Sequence, residues 1–296
     1  MTTQAMAAHP EFTVIIPAHN EEAVIARCLA AILRDAPAGH RMQIIVAANG
    51  CCDATAAQAR KAAPEALVLD LPQGSKTKAM NAAALEARHF PRIFLDADIE
   101  CSYTALAALA RALEEPGAMT AAPAIRLDMS RLNLWARAYY RAWLRQPYAT
   151  AGKGGAGCYA LSRAGYEVIG PFPPIIADDL WIHTRFPDRD KRYVVADEVG
   201  APVFSIVHPP CTASEQVRVE ARRQVGNLEL RRDYPSPWLD ESASQGGFAK
   251  AFASGVSPFD LAVFFAVKLA ARALAKWRIR RGAATVWSRD LSSRKV

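Results

Sequence analysis

The sequence predicts an α/β fold: a mostly parallel central sheet with helices on both faces, followed by a C-terminal amphipathic helix. Three observations carry the prediction. Over about the first hundred residues, short apolar, β-branched runs alternate four times with stretches of helical periodicity, the pattern of a sheet wound with crossover helices. The first of these runs is continuously apolar rather than alternating, which suits a strand buried on both faces. The fourth, Arg92-Ile93-Phe94-Leu95, ends in Asp96-Ala97-Asp98. It brings two carboxylates to the C-terminal tip, where open α/β sheets bind ligands.

Glu11 to Pro17 reads as the first strand. Ala18-His19-Asn20-Glu21-Glu22 follows as a strand-to-helix turn, with Asn20 expected as N-cap of a helix running to Leu33. The second strand, Met42 to Ala48, enters the turn signal Asn49-Gly50 and then Cys51-Cys52-Asp53, with Asp53 expected to cap an Ala-rich helix. The third, Ala66 to Leu71, leads through Gly74-Ser75-Lys76 into another helix. Neither a Gly-x-x-x-x-Gly-Lys-Ser/Thr loop nor a Gly-x-Gly-x-x-Gly fingerprint is present in this stretch, so phosphate binding by those loops is excluded. Beyond the Asp-x-Asp triplet, Ala118 to Leu127 reads as a strand. Leu132 to Tyr148 reads as a helix with Arg137, Arg141 and Arg145 on one face, either solvated or turned to lipid headgroups. The Gly-rich loop 152–157 permits close backbone approach to a ligand before a short strand, Cys158 to Ser162. Asp178-Asp179 opens an amphipathic segment, Lys191 to Ala196 and Pro202 to Val207 read as strands, and Ser214 to Arg232 as a charged helix.

The 296 residues, 51% hydrophobic and 22% charged, suit one large α/β domain with an appendage: 10–234 as the domain, 235–258 as a Pro/Ser/Gly-rich linker and 259–296 as a basic amphipathic tail. The net charge of +7 belongs to that tail: from Leu261 onward nine basic residues face only Asp290, and the remainder sums to −1. A neutral body argues against nucleic acid as a partner. The tail either packs on the core or lies in an anionic membrane interface, being too short in its apolar run to span a bilayer. The N-terminus shows neither a basic nor an apolar signal region, so a cytoplasmic location, peripheral on the inner face of the membrane, is expected. Six cysteines without a Cys-x-x-Cys pair read as reduced thiols, mostly buried.

Taken together, Val14-Ile15-Ile16-Pro17-Ala18-His19-Asn20-Glu21-Glu22, Asn49 to Thr55, Lys76-Thr77-Lys78-Ala79-Met80-Asn81, Asp96-Ala97-Asp98, Gly154 to Cys158 and Ala177-Asp178-Asp179 resemble, in order, the motifs of the family 2 inverting glycosyltransferases of GT-A fold. The resemblance implies a nucleotide-sugar site at Pro17, Ala18, Glu21, Asn49, Lys76, Asn81, Asp96 and Arg222, with a Mg²⁺ or Mn²⁺ ion on Asp98. It implies an acceptor-side loop at Gly155 and Gly157, and an acidic pair, Asp178 and Asp179, whose second member is the base. The family's usual carboxylate for the base is replaced by Ala48-Asn49, leaving Asn49 to contact the nucleobase, with a UDP-sugar put ahead of GDP. Its processive Gln-x-x-Arg-Trp motif is broken by Val219 and Arg223 around Arg222, which favours single-sugar addition. The implied activity is transfer to a hydroxyl of a lipid-linked or cell-envelope glycan acceptor. The alternatives are a catalytically idle domain that docks on the membrane as a binding module, and a nucleotidyltransferase of related fold.

Overall fold

The computed structural model describes residues 9–146, 157–236, 238 and 255–281. Strands β1 (Glu11–Ala18), β2 (Arg41–Asn49), β3 (Leu67–Leu71) and β4 (Arg92–Leu95) form a parallel block in the order β3-β2-β1-β4, with Ile15 level with both Ile45 and Phe94. The sheet then changes direction. β7 (Cys158–Leu161) runs antiparallel to β4 and to β6 (Thr120–Leu127). The first half of β6 also pairs in parallel with β8 (Lys191–Val194), and its second half with β9 (Phe204–Val207), which pairs antiparallel with the two-residue β5 (Glu100–Cys101).

The apolar strands are covered on both faces, and the pleat decides which residue goes where. Phe12, Val14 and Ile16 point to one side with Ile44, Val46, Ile93 and Leu95, under α1 (Ile25–Leu33), α2 (Thr55–Ala62) and α4 (Tyr103–Ala112). Ile15, Ile45 and Phe94 point to the other, under α3 (Lys76–Glu86) and α7 (Asp178–His183), where Phe172 and Trp181 close the layer. A short α6 (Arg163–Ile169) starts on the Ser162 cap. Asn20 does not cap α1. It adopts φ +52°, the helix begins four residues after Glu21, and the Asn20 side chain instead accepts from Cys52 N at 2.7 Å.

A third group of helices stands beside the sheet: α5 (Leu134–Trp143), α8 (Ala213–Asp233) and α9 (Pro258–Arg280). Alanines bring α9 and α8 close, through Ala271 and Ala275 against Ala221 and Val225. Rings seal α9 to α5, with Phe264 stacked on Tyr139 at 5.3 Å. Two charged contacts fix the register. Arg141 grips Asp260 with two hydrogen bonds of 2.8 and 2.6 Å, and Lys268 pairs with the buried Glu220 of α8. One stretch of the C-terminal segment thus packs on the domain, and the arginine stripe of α5 is partly spent on this: Arg141 holds α9, and Arg137 donates to the Met129 carbonyl. All six cysteines are free thiols; Cys28, Cys101 and Cys158 are buried and Cys52 is exposed.

Truncating Phe264 to alanine removes a buried ring from the α5–α9 seam. The expected loss is about 3–4 kcal/mol of unfolding free energy, read as a lowered midpoint in urea at unchanged slope.

Candidate active site

The turns after β1, β2, β3 and β4 all open at the same end of the parallel block, because parallel strands put their C-terminal ends together. The first two are laced to each other. Asn20 N–H donates to Cys51 Sγ at 3.3 Å, Glu22 N–H to Asp53 Oδ2 at 3.3 Å, Ala54 N–H to Glu22 Oε2 at 2.9 Å and Glu21 N–H to Thr55 Oγ1 at 2.7 Å. The β2 turn also meets the β3 turn. Gly50 sits at φ +58°, and a Cβ there would lie 2.5 Å from Gly74 N, so both the conformation and the contact require glycine.

Asn49, put forward by the sequence as a nucleobase contact, is buried and braces this wall. Its Nδ2 donates to the Ala18 and Ala47 carbonyls at 2.8 and 3.1 Å, and its Oδ1 accepts from Ser75 N at 2.9 Å. Both of its amide hydrogens and its carbonyl are therefore engaged. Asn81 has a similar use: it exchanges two bonds with the Phe172 backbone, 2.9 and 2.8 Å, tying α3 to the segment before Asp178. Pro17 and Ala18 are buried at the end of β1, and Glu21 is buried in the turn beyond.

At the centre stands Lys76. Its Nζ lies 2.7 Å from Asp96 Oδ1 and 2.9 Å from Asp178 Oδ1, joining the start of α3, the tip of β4 and the start of α7. Tyr159, on β7, donates its hydroxyl to Asp178 Oδ2 at 3.0 Å. Burial alone would lower the Lys76 pKa; the Asp178 and Asp96 charges outweigh it and hold the ammonium protonated well above its usual range. Burial, with the Asp178 and Asp98 charges behind it, pushes Asp96 up to about 6 in spite of Lys76. Burial and then Asp178 also hold Tyr159 far above the ordinary phenol value, so it remains a donor.

The glycine loop reaches this centre from the other side. Gly157, at φ +77°, accepts from Asp96 N–H at 2.7 Å, and a Cβ on it would lie 2.9 Å from Asp96 Oδ2. Gly155 lies outside the described residues. Asp179 is half-exposed beside Asp178, and its charge reaches Arg223 on α8. Gly226, one helical turn further, lets α8 close on the segment before Asp178: a Cβ would sit 3.1 Å from Ala177 Cβ. Arg222 lies on the same helix, half-buried. Tyr159, bonded to Asp178, was not singled out by sequence; only the register between β4 and β7 could have found it.

Among the described residues no three His, Cys, Asp or Glu side chains converge on a point that could hold a metal ion. The donor chemistry fits one: the charges of Asp178 and Asp98 both act on Asp96, and Lys76 offsets them there. One or two carboxylates with phosphate oxygens and water is how Mg²⁺-type ions are commonly held.

With Asp96 pushed up to about 6, a divalent cation bound there with a nucleotide would have to displace a proton below this pH. Metal-dependent nucleotide binding should hold steady above pH 7 and weaken about tenfold per unit below pH 6, measured by calorimetry; a flat profile from pH 7 to 5 would show that Asp96 takes no part. Tyr159→Phe leaves one oxygen of the buried Asp178 without its donor and should lower stability by about 1–3 kcal/mol, measured by thermal unfolding.

Comparison with known proteins follows the same outline. The chain is similar to the mannosyltransferase PcManGT of Pyrobaculum calidifontis, solved with GDP-mannose and Mn²⁺, at TM-score 0.63 and 21% identity over 92% of this chain and 88% of that one. It is similar to a solved mycobacterial protein at TM-score 0.51 and 19% identity, covering 77% and 76% of the two chains. Glucosyl-3-phosphoglycerate synthase of Mycobacterium tuberculosis, solved with Mn²⁺, UDP-glucose and glycerol 3-phosphate, aligns at TM-score 0.47 and 22% identity over 62% and 69%. No curated protein matches the chain. The model of glycosyl transferase family 2 matches residues 13–165, just over half the chain and the stretch that carries Lys76, Asp96, Asp98 and Tyr159. The chain belongs to glycosyl transferase family 2, and its domain has the GT-A fold.

Proposed function

We propose that this protein is an inverting, metal-dependent glycosyltransferase. It adds one sugar from a nucleoside-diphosphate donor, a UDP-sugar ahead of a GDP-sugar, to a hydroxyl of a lipid-linked or cell-envelope glycan at the cytoplasmic face of the membrane. The observation that carries the reading is the Lys76 bridge: it couples the Asp-x-Asp tip, where a diphosphate and its cation bind, to the helix start that holds the acid pair. Two functional halves are thereby held in one geometry.

In this reading the chain's own groups divide the work. Asp98 would hold the Mg²⁺ or Mn²⁺ ion, which when bound would offset the charge of the leaving diphosphate, while Asp96 would contact the sugar or ribose or help hold the ion's water shell. Asp178, locked by Lys76 and Tyr159, is a positioning group and orients the start of α7. Asp179, beside it and less buried, takes the proton of the acceptor hydroxyl as that oxygen attacks the anomeric carbon from the side opposite the diphosphate. Arg222 and Arg223 bring positive charge to the same region from α8. The Asn49 brace leaves nucleobase selection to the walls of the β1 and β2 turns rather than to a side-chain amide.

Calorimetry with UDP and with GDP, with and without Mn²⁺, tests the donor half. Asp98→Asn should abolish the metal-dependent part of binding. Asp179→Asn should keep that binding and lower turnover about 10²- to 10⁴-fold, assayed as donor consumption with an acceptor mixture from membranes. Normal turnover in both variants would end the scheme, and binding of neither nucleotide by the native protein would support the idle-module reading.

A further inference from the structure

Helix α9 is apolar on two opposite sides. Its inner side is covered by α5 and α8, as Val263, Phe264, Val267 and Ala271 show. On the outer side Phe259, Ala266, Leu269, Ala273 and Trp277 recur at spacings of three, four and seven, and so form one continuous stripe along the helix. Leu269 is 69% exposed and Trp277 49%. The stripe is extended at its N-terminal end by α5, where Trp135 packs on Phe259 at 5.5 Å and neighbouring Leu134 is exposed.

The charges around the stripe identify what covers it. Arg272 and Lys276 run along its edge and Arg280 stands at its end, all exposed. The only acidic residue of α9 is Asp260, which is buried in its pair with Arg141. A second copy packing two-fold on this face would bring those cations against their own counterparts with no acid of the helix to meet them. A surface that is apolar inside and anionic outside meets both features, and among the described residues no helix is long and apolar enough to cross a bilayer.

We infer that the outer face of α9, with Leu134 and Trp135 of α5, is the surface by which this protein lies on an anionic lipid leaflet. The inference rests on the membrane-face reading above and gives it a location. The face is also connected to the chemistry: α9 packs on α8, and α8 in turn seats Gly226 against Ala177, next to the acid pair. A leaflet under α9 would therefore stand one helix away from Asp179, an arrangement suited to an acceptor whose glycan head projects from the lipid.

The test is co-sedimentation of the full chain with vesicles of equimolar phosphatidylcholine and phosphatidylglycerol, and with phosphatidylcholine alone. The native protein should bind the anionic vesicles, and Leu269→Glu combined with Trp277→Glu should lower its partitioning about tenfold or more. Arg272→Gln with Lys276→Gln, a milder pair, should weaken binding to anionic vesicles and leave the weak binding to neutral ones unchanged. Metal-dependent nucleotide binding, retained in each variant, certifies the fold. Native binding that both double variants preserve would overturn the inference while sparing the membrane-face reading. No native binding would overturn both. A native dimer that the glutamate pair converts to monomer, without vesicle binding, would assign the stripe to a second copy and overturn the inference.

Discussion

A partly buried lysine ammonium between two carboxylates is held in place by both, because desolvation works against each charge and their mutual attraction offsets it. Lys76 is held in this way, and the geometry of the site follows from it. Asp96 leaves β4, Asp178 opens α7 and Lys76 opens α3, so the bridge fixes three elements that are far apart in the chain. Tyr159 occupies the second oxygen of Asp178 and Gly157 leaves room for the second oxygen of Asp96. The assembly still carries more acid than base. Burial, with the neighbouring carboxylate charges behind it, raises Asp96 in spite of Lys76.

The remaining architecture supports that bridge from two directions. On one side, the hydrogen-bonded lacing of the β1 and β2 turns and the Gly50–Gly74 contact make a continuous backbone wall, with Asn49 as its internal brace. On the other, α8 packs Gly226 on Ala177 and Glu229 accepts from Ile176 N–H at 3.0 Å, so the segment before the acid pair is held by a helix. Helix α9 stiffens α8 in its turn through the Lys268–Glu220 pair and the alanine seam. A path of packed elements thus runs from the outer face of the C-terminal helix to the acid pair.

Much of this was legible in the sequence because periodicity and turn chemistry are local. The buried strands, the turn at Asn49-Gly50, the Asp-x-Asp tip and the helix that opens with Asp178 all occur where the pattern puts them. The short strand β5 and helices α4 and α6 have no counterpart in the sequence reading, and a two-residue strand carries no periodicity. Asn20 reads locally as a cap, yet a long-range bond from Cys52 N–H claims its side chain and α1 starts later.

The sequence by itself determined the fold class, the order of the motifs and the membership of Lys76, Asp96, Asp98 and Asp178 in one family pattern, because each depends on residue types at short spacing. Only the tertiary structure decided what those residues do to one another. That Lys76 spans Asp96 and Asp178, that Tyr159 joins them, and that Asn49 and Asn81 bond to backbone depends on contacts between residues up to 102 positions apart. The same holds for α9: one amphipathic period cannot say which neutral side is inward, and it took the packing of Phe264 and Ala271 to leave Leu269 and Trp277 facing out.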